Sequence, residues 1–136
     1  MDILDVINDY FKNGGLNCAE TTMRVMTSVF PELPSEAQKM MTGFGGGMQR
    51  GLVCGAVTAA VAAIGLKTGR MEPDESREPS AIAVRRFLDE FEAEFGALNC
   101  DKLTEKYVSK SDEMYGYCRK FIAFSANLAY KIIKED

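Results

Sequence analysis

Four cysteines, Cys18, Cys54, Cys100 and Cys118, are the side chains of this sequence best suited to redox or metal chemistry. In a reducing compartment, cysteines spread along a chain more often bind metal or cycle between thiol and disulfide than form structural crosslinks. No two of them stand in a C-x-x-C spacing, so no zinc-ribbon, ferredoxin or thioredoxin signature is present. The competing reading is four inert thiols packed as small hydrophobes. Position favours chemistry at Cys18: it follows Asn17 at an expected helix start, where unpaired N–H groups and the helix dipole stabilise thiolate. Cys18 is therefore the candidate redox thiol. Cys100, just after Asn99, is expected to share that kind of environment. Cys54 is expected inside a glycine-rich helix, flanked by Gly51 and Gly55. Cys118 falls on the apolar face of the last expected helix.

Other constellations carry less. The run Gly43-Phe44-Gly45-Gly46-Gly47-Met48-Gln49-Arg50-Gly51 fits neither a P-loop nor a strand-led dinucleotide fingerprint, and close packing beside Cys54 is the better reading of its glycines. Asp89, Glu90, Glu92 and Glu94 read as the solvated side of a helix rather than a hydrolytic pair. The chain has no His, which excludes His-based triads, mixed Cys/His zinc sites and His-ligated haem. No acid–base pair emerges, so the sequence assigns no enzymatic reaction.

The 136 residues suit one domain, residues 1–136. With 46% hydrophobic and 26% charged residues the composition is that of a globular protein. A net charge of -4 argues against a nucleic-acid footprint, which would be basic and clustered. The acidic start, Met1-Asp2-Ile3-Leu4-Asp5, lacks the basic and apolar regions of a secretory signal. The longest apolar run, Leu52 to Leu66, is too short to cross a bilayer. A cytoplasmic protein with no membrane insertion is the expectation.

Helical periodicity runs throughout, with no convincing strand. Ile3, Leu4, Ile7, Tyr10 and Phe11 mark a first helix stopped by Gly14-Gly15. Asn17 and Glu20 have the spacing of a capping box for a second helix, which Pro31 ends. A short helix is expected from Pro34-Ser35-Glu36 to Met41. After the glycine run a long small-residue helix is expected to about Ile64, broken by Gly65 and Gly69. Its ridge would be Val53, Val57, Val61 and Ile64. Gly51, Gly55 and Ala59 would form a smooth groove for close approach of another helix, including one from a second copy in a homodimer. Pro79-Ser80 opens a helix with Phe87, Phe91 and Phe95 on one face, capped by Gly96. A short helical piece follows Asn99-Cys100-Asp101, and a last helix runs from about Asp112 to Lys134. The fold class is all-α, a compact single-domain bundle of five or six helices.

Taken together, Cys18, the Gly43-to-Met48 run, Cys54-Gly55-Ala56-Val57-Thr58-Ala59, Gly96-Ala97-Leu98-Asn99-Cys100 and Tyr117-Cys118 resemble the C_GCAxxG_C_C family of redox-active proteins. The resemblance extends from Asn17 to about Phe121 and keeps four cysteines in order. The family's central C-G-A-x-x-G ends here in Ala59 instead of Gly. A related domain of split-Soret cytochromes is associated with an iron–sulfur centre. By that resemblance Cys18, Cys54, Cys100 and Cys118 are expected to ligate a cluster, and four thiolates suit [2Fe–2S] or [4Fe–4S]. The implied role is electron transfer with an unidentified redox partner protein. The alternatives are a dithiol/disulfide pair with Cys18 attacking, a structural zinc site on the four cysteines, or a helical interaction domain with inert cysteines.

Overall fold

The computed structural model describes residues 2–11 and 15–135. Helix α1 (Ile3–Tyr10) is capped by Asp2, whose carboxylate accepts from the Leu4 N–H, and it buries Val6 and Ile7. The first of the two expected stop residues, Gly14, lies outside the described residues. Gly15 is described, with φ +89°, but α1 has already ended by then, at the extended Phe11, and Leu16 N–H donates to the Tyr10 carbonyl at 2.9 Å.

Helix α2 (Cys18–Val29) has the expected capping box. Asn17 Oδ1 accepts from Glu20 N–H, and Glu20 accepts from Asn17 N–H, both at 2.9 Å. A short α3 (Glu36–Met40) and a 3-10 turn over Thr42–Phe44 lead to the glycine run. Then follow α4 (Gly55–Thr68), α5 (Glu78–Phe95), α6 (Cys100–Thr104) and α7 (Asp112–Lys134). Among the described residues there is no strand, so the fold is all-α. Among the described residues five helices have eight residues or more, and α3 and α6 add one turn each.

α4 departs from the sequence expectation at both ends. It begins at Gly55, so Gly51 and Val53 are not part of it and Cys54 is its N-cap residue. Gly46, Gly47 and Gly51 all take positive φ, and Met48 and Gln49 between them are left-handed too, at φ +58° and +61°. A helix cannot propagate through that geometry. Gly47 is required where it stands: a Cβ would lie 2.4 Å from the Leu52 carbonyl oxygen, and Leu52 N–H donates to the Gly47 carbonyl at 2.9 Å. At the other end Gly65 does not break the helix, which continues to Thr68 and is capped by Gly69.

α4 packs against α2, α5 and α7, with Ala56, Ala59, Ala60 and Ala63 fully buried. The small side chains let α2 approach closely: a Cβ at Gly55 would meet Ala19 Cβ at 3.0 Å. On the other side of α4, Phe87, Phe91 and Phe121 fill the core with no exposure above 2%. Their rings extend to Phe95 and Phe124 in edge-on and tilted contacts. No described helix is long and apolar enough to cross a membrane.

Candidate functional site: a cavity bordered by thiols

Two long-range backbone hydrogen bonds place the central cysteines. Cys54 N–H donates to the Leu98 carbonyl at 2.9 Å and Cys100 N–H donates to the Leu52 carbonyl at 2.6 Å, around a Val53–Asn99 antiparallel bridge. Leaving the glycine turn, the chain is stitched to the segment entering α6, so Cys54 and Cys100 start their helices side by side. Gly51 belongs to this junction, because a Cβ there would press on the Asp101 side chain at 3.0 Å.

Cys18 is the first residue of α2, as expected, and its sulfur lies over the start of α4. A Cβ on Gly55 would stand 2.7 Å from Cys18 Sγ and 2.8 Å from the Phe44 carbonyl oxygen. The missing side chain at 55 thus makes the cradle in which the Cys18 sulfur sits. Across the turn, Asn17 Nδ2 donates to the Thr42 carbonyl at 3.0 Å, and a Cβ on Gly45 would strike the Asn17 side chain. The glycine run is therefore packing that wraps the Cys18 end of α2.

The thiols are electrostatically unequal. The Cys54 thiol hydrogen-bonds Cys18 and holds the Cys18 pKa down to about 6, against the opposing effect of burial; N–H groups of Gly46, Gly55 and Ala19 add to the lowering. The same contact pushes the Cys54 pKa well up, because that thiol holds its proton to donate it, and full burial adds to the rise. Burial also raises Cys100, with the Cys18 charge contributing, while a hydrogen bond with Thr104 opposes the rise. Cys118 is pushed up to about 12, first by burial and then by the charges of Cys18 and Cys100.

Cys18, Cys100 and Cys118 border one cavity of about 470 Å³, with Phe11, Met114 and Tyr115 also on its walls. Cys54 is buried behind Cys18. The fold therefore brings the four expected residues into one region. They do not meet at a point: among the described residues no three Cys, Asp or Glu side chains are grouped to hold a metal ion. A single tetrahedral ion with sulfur bonds of about 2.3 Å would need its sulfurs within about 4 Å of one another. Met114 falls on the apolar face that the sequence assigns to the last helix together with Cys118, whereas Thr104 and Tyr115 belong to no motif in the sequence. Thr104 stands one helical turn from Cys100, whose carbonyl its hydroxyl reaches at 2.8 Å, as Met114 and Tyr115 stand one turn before Cys118.

Residues 16–132 match the family described as "Putative redox-active protein (C_GCAxxG_C_C)". The chain belongs to the C_GCAxxG_C_C family. Its four cysteines are thus those of a redox-active family, and the match spans every segment that borders the cavity from Leu16 onward. No curated protein and no solved structure matches the chain. Where the C_GCAxxG_C_C motif would carry its last glycine, Ala59 is fully buried, one turn along α4 from Gly55, and its methyl group is part of the core.

Proposed function

We propose that this C_GCAxxG_C_C protein is an electron carrier in which Cys18, Cys54, Cys100 and Cys118 hold an iron–sulfur cluster, exchanging electrons with a redox partner protein. The observation that carries the reading is the opening of three thiols onto one cavity of about 470 Å³, with the fourth thiol against Cys18. The donor set is all sulfur, which suits iron–sulfur chemistry, and thiols arrayed around a space suit a polynuclear cluster better than one ion. A bound cluster supplies reversible one-electron storage. The chain's own part is to hold thiolate: N–H groups of Gly46, Gly55 and Ala19 are aimed at the Cys18 sulfur, and such bonds tune the potential of sulfur-ligated centres. Phe11, Met114 and Tyr115 add apolar and aromatic surface to the cavity wall.

A second reading rests on the contact between Cys18 and Cys54. A low-pKa thiolate beside a buried, protonated thiol is the arrangement of a dithiol redox pair. Cys18 thiolate would attack a disulfide of the partner, releasing one partner thiolate and forming a mixed disulfide. Cys54, losing its proton to that leaving thiolate, would then attack the Cys18 sulfur and release the second partner thiolate. The chain ends with a Cys18–Cys54 disulfide and the partner with two reduced sulfurs.

Anaerobic purification with absorption spectroscopy and iron, sulfide and zinc analysis separates the readings. The cluster predicts a coloured protein with iron and sulfide in similar amounts, both lost in Cys18→Ser and Cys118→Ser. Colourless, metal-free protein whose free-thiol count falls by two on oxidation would replace it with the dithiol pair. Stoichiometric zinc without sulfide would overturn both in favour of a structural site.

A further inference from the structure

Helix α4 carries no charge from Gly55 to Leu66, a stretch whose one polar side chain is Thr58, and between Arg50 and Lys67 the sequence has no charged residue. Helices of that kind are buried on all sides. Here α2, α5 and α7 do not cover α4 completely: Ala62 and Leu66 are exposed, and Thr58 and Val61 are half-covered. The uncovered side continues into a groove of about 400 Å³ between α4 and α5, lined by Val57, Val61, Ala62, Val84 and Leu88, with Phe44 also on its wall. An uncharged apolar centre is what distinguishes the core of an interface from ordinary surface.

The charges beside the groove indicate the occupant. On α5, Val84 and Leu88 face the groove, and the exposed Arg85 and Glu92 stand two turns apart on the neighbouring strip, bracketing Leu88. Neither makes an ion pair among the described residues, whereas Arg86 on the other side is held by Glu90 and Glu135. When two copies of α5 cross antiparallel near Leu88, Arg85 of each copy faces Glu92 of the other. A two-fold interface requires this self-complementarity, with one patch serving both sides. We infer that the α4–α5 groove is the interface of a homodimer, the second copy covering the open side of α4. The smooth glycine stripe expected from the sequence is not this surface, because Gly55 is spent inside the molecule against Cys18 and Ala19.

Sedimentation equilibrium and light scattering through the micromolar range test this without reference to metal, so their outcome is independent of the proposed redox role. The wild-type chain is expected to be dimeric. Ala62→Arg, at an exposed position, should give a monomer with an unchanged circular dichroism spectrum. Arg85→Glu and Glu92→Arg should each weaken the dimer about tenfold by setting like charges opposite one another, and the double exchange should restore it. A monomeric wild type overturns the inference. So does a dimer indifferent to Ala62→Arg, or a double exchange no better than the single variants.

Discussion

At the scale of single residues, the asymmetry between Cys18 and Cys54 comes from hydrogen bonding at two helix starts. Cys18 receives a thiol proton and three backbone N–H groups, while Cys54 is buried and gives its proton toward Cys18. In reduced, metal-free protein the rate of Cys18 alkylation by iodoacetamide should therefore follow a titration centred near pH 6, against an ordinary thiol value of 9.0. Because the folded-state pKa is lowered, thiolate is present above that midpoint and is lost as pH falls through it. Cys54→Ala, which removes the largest contribution, should move the midpoint upward; an unchanged midpoint would mean that the N–H groups suffice. Gly55→Ala tests the cradle, since the added methyl would occupy space 2.7 Å from Cys18 Sγ. Overpacking of this kind costs about 1–3 kcal/mol. The variant should also raise the alkylation midpoint, and a wild-type midpoint with normal stability would show that the sulfur moves aside freely.

At the scale of elements, the site depends on how α2 and α4 begin. α2 begins locally, through Asn17 and Glu20, and the same Asn17 ties the turn at Thr42 to it. Asn17→Ala should cost about 1 kcal/mol, read as a lower denaturant midpoint with an unchanged slope. An unchanged midpoint would mean that neither the cap nor the Thr42 contact contributes. α4 begins non-locally. Its helical pattern extends back through Gly51, but the positive φ angles at Gly46 to Gln49 and the bond from Cys54 N–H to the Leu98 carbonyl end it at Gly55. Two consecutive left-handed non-glycine residues, Met48 and Gln49, are costly locally and persist only where the surroundings hold them. Here the turn holds Leu52 and Cys54 against Leu98 and Cys100.

At the scale of the whole molecule, the thiols lie at one end of packed helices whose stability comes from elsewhere. The aromatic cluster of Phe87, Phe91, Phe95, Phe121 and Phe124 joins α5 to α7. Phe91 is fully buried within it, so Phe91→Ala should lower unfolding stability by about 3–5 kcal/mol in denaturant titration. Because Cys118 lies on α7, the loosened variant, if it carries the cluster proposed above, should also lose iron more readily to a chelator than wild type does. Equal retention would show that the thiol end is held independently of the α5–α7 core.

The sequence by itself determined the helical class, the start of α2 with its capping box, the end of α5 at Gly96 and the span of α7. Each of these is written in contacts within about four residues: Asn17 with Glu20, Ser111 with Met114, and Gly96 with Glu92. The four cysteines were legible by type, and Cys18 by its place after a cap. Only the tertiary structure decided that Cys54 stands before its helix rather than within it, that its thiol meets Cys18, and that Cys100 and Cys118 border the same cavity. Those outcomes rest on contacts between residues far apart in the chain, such as Cys54 with Leu98 and Gly55 with Cys18, which local periodicity does not encode. They also rest on a glycine turn whose left-handed geometry costs more locally than the helix it interrupts, and which only the packing around it can hold.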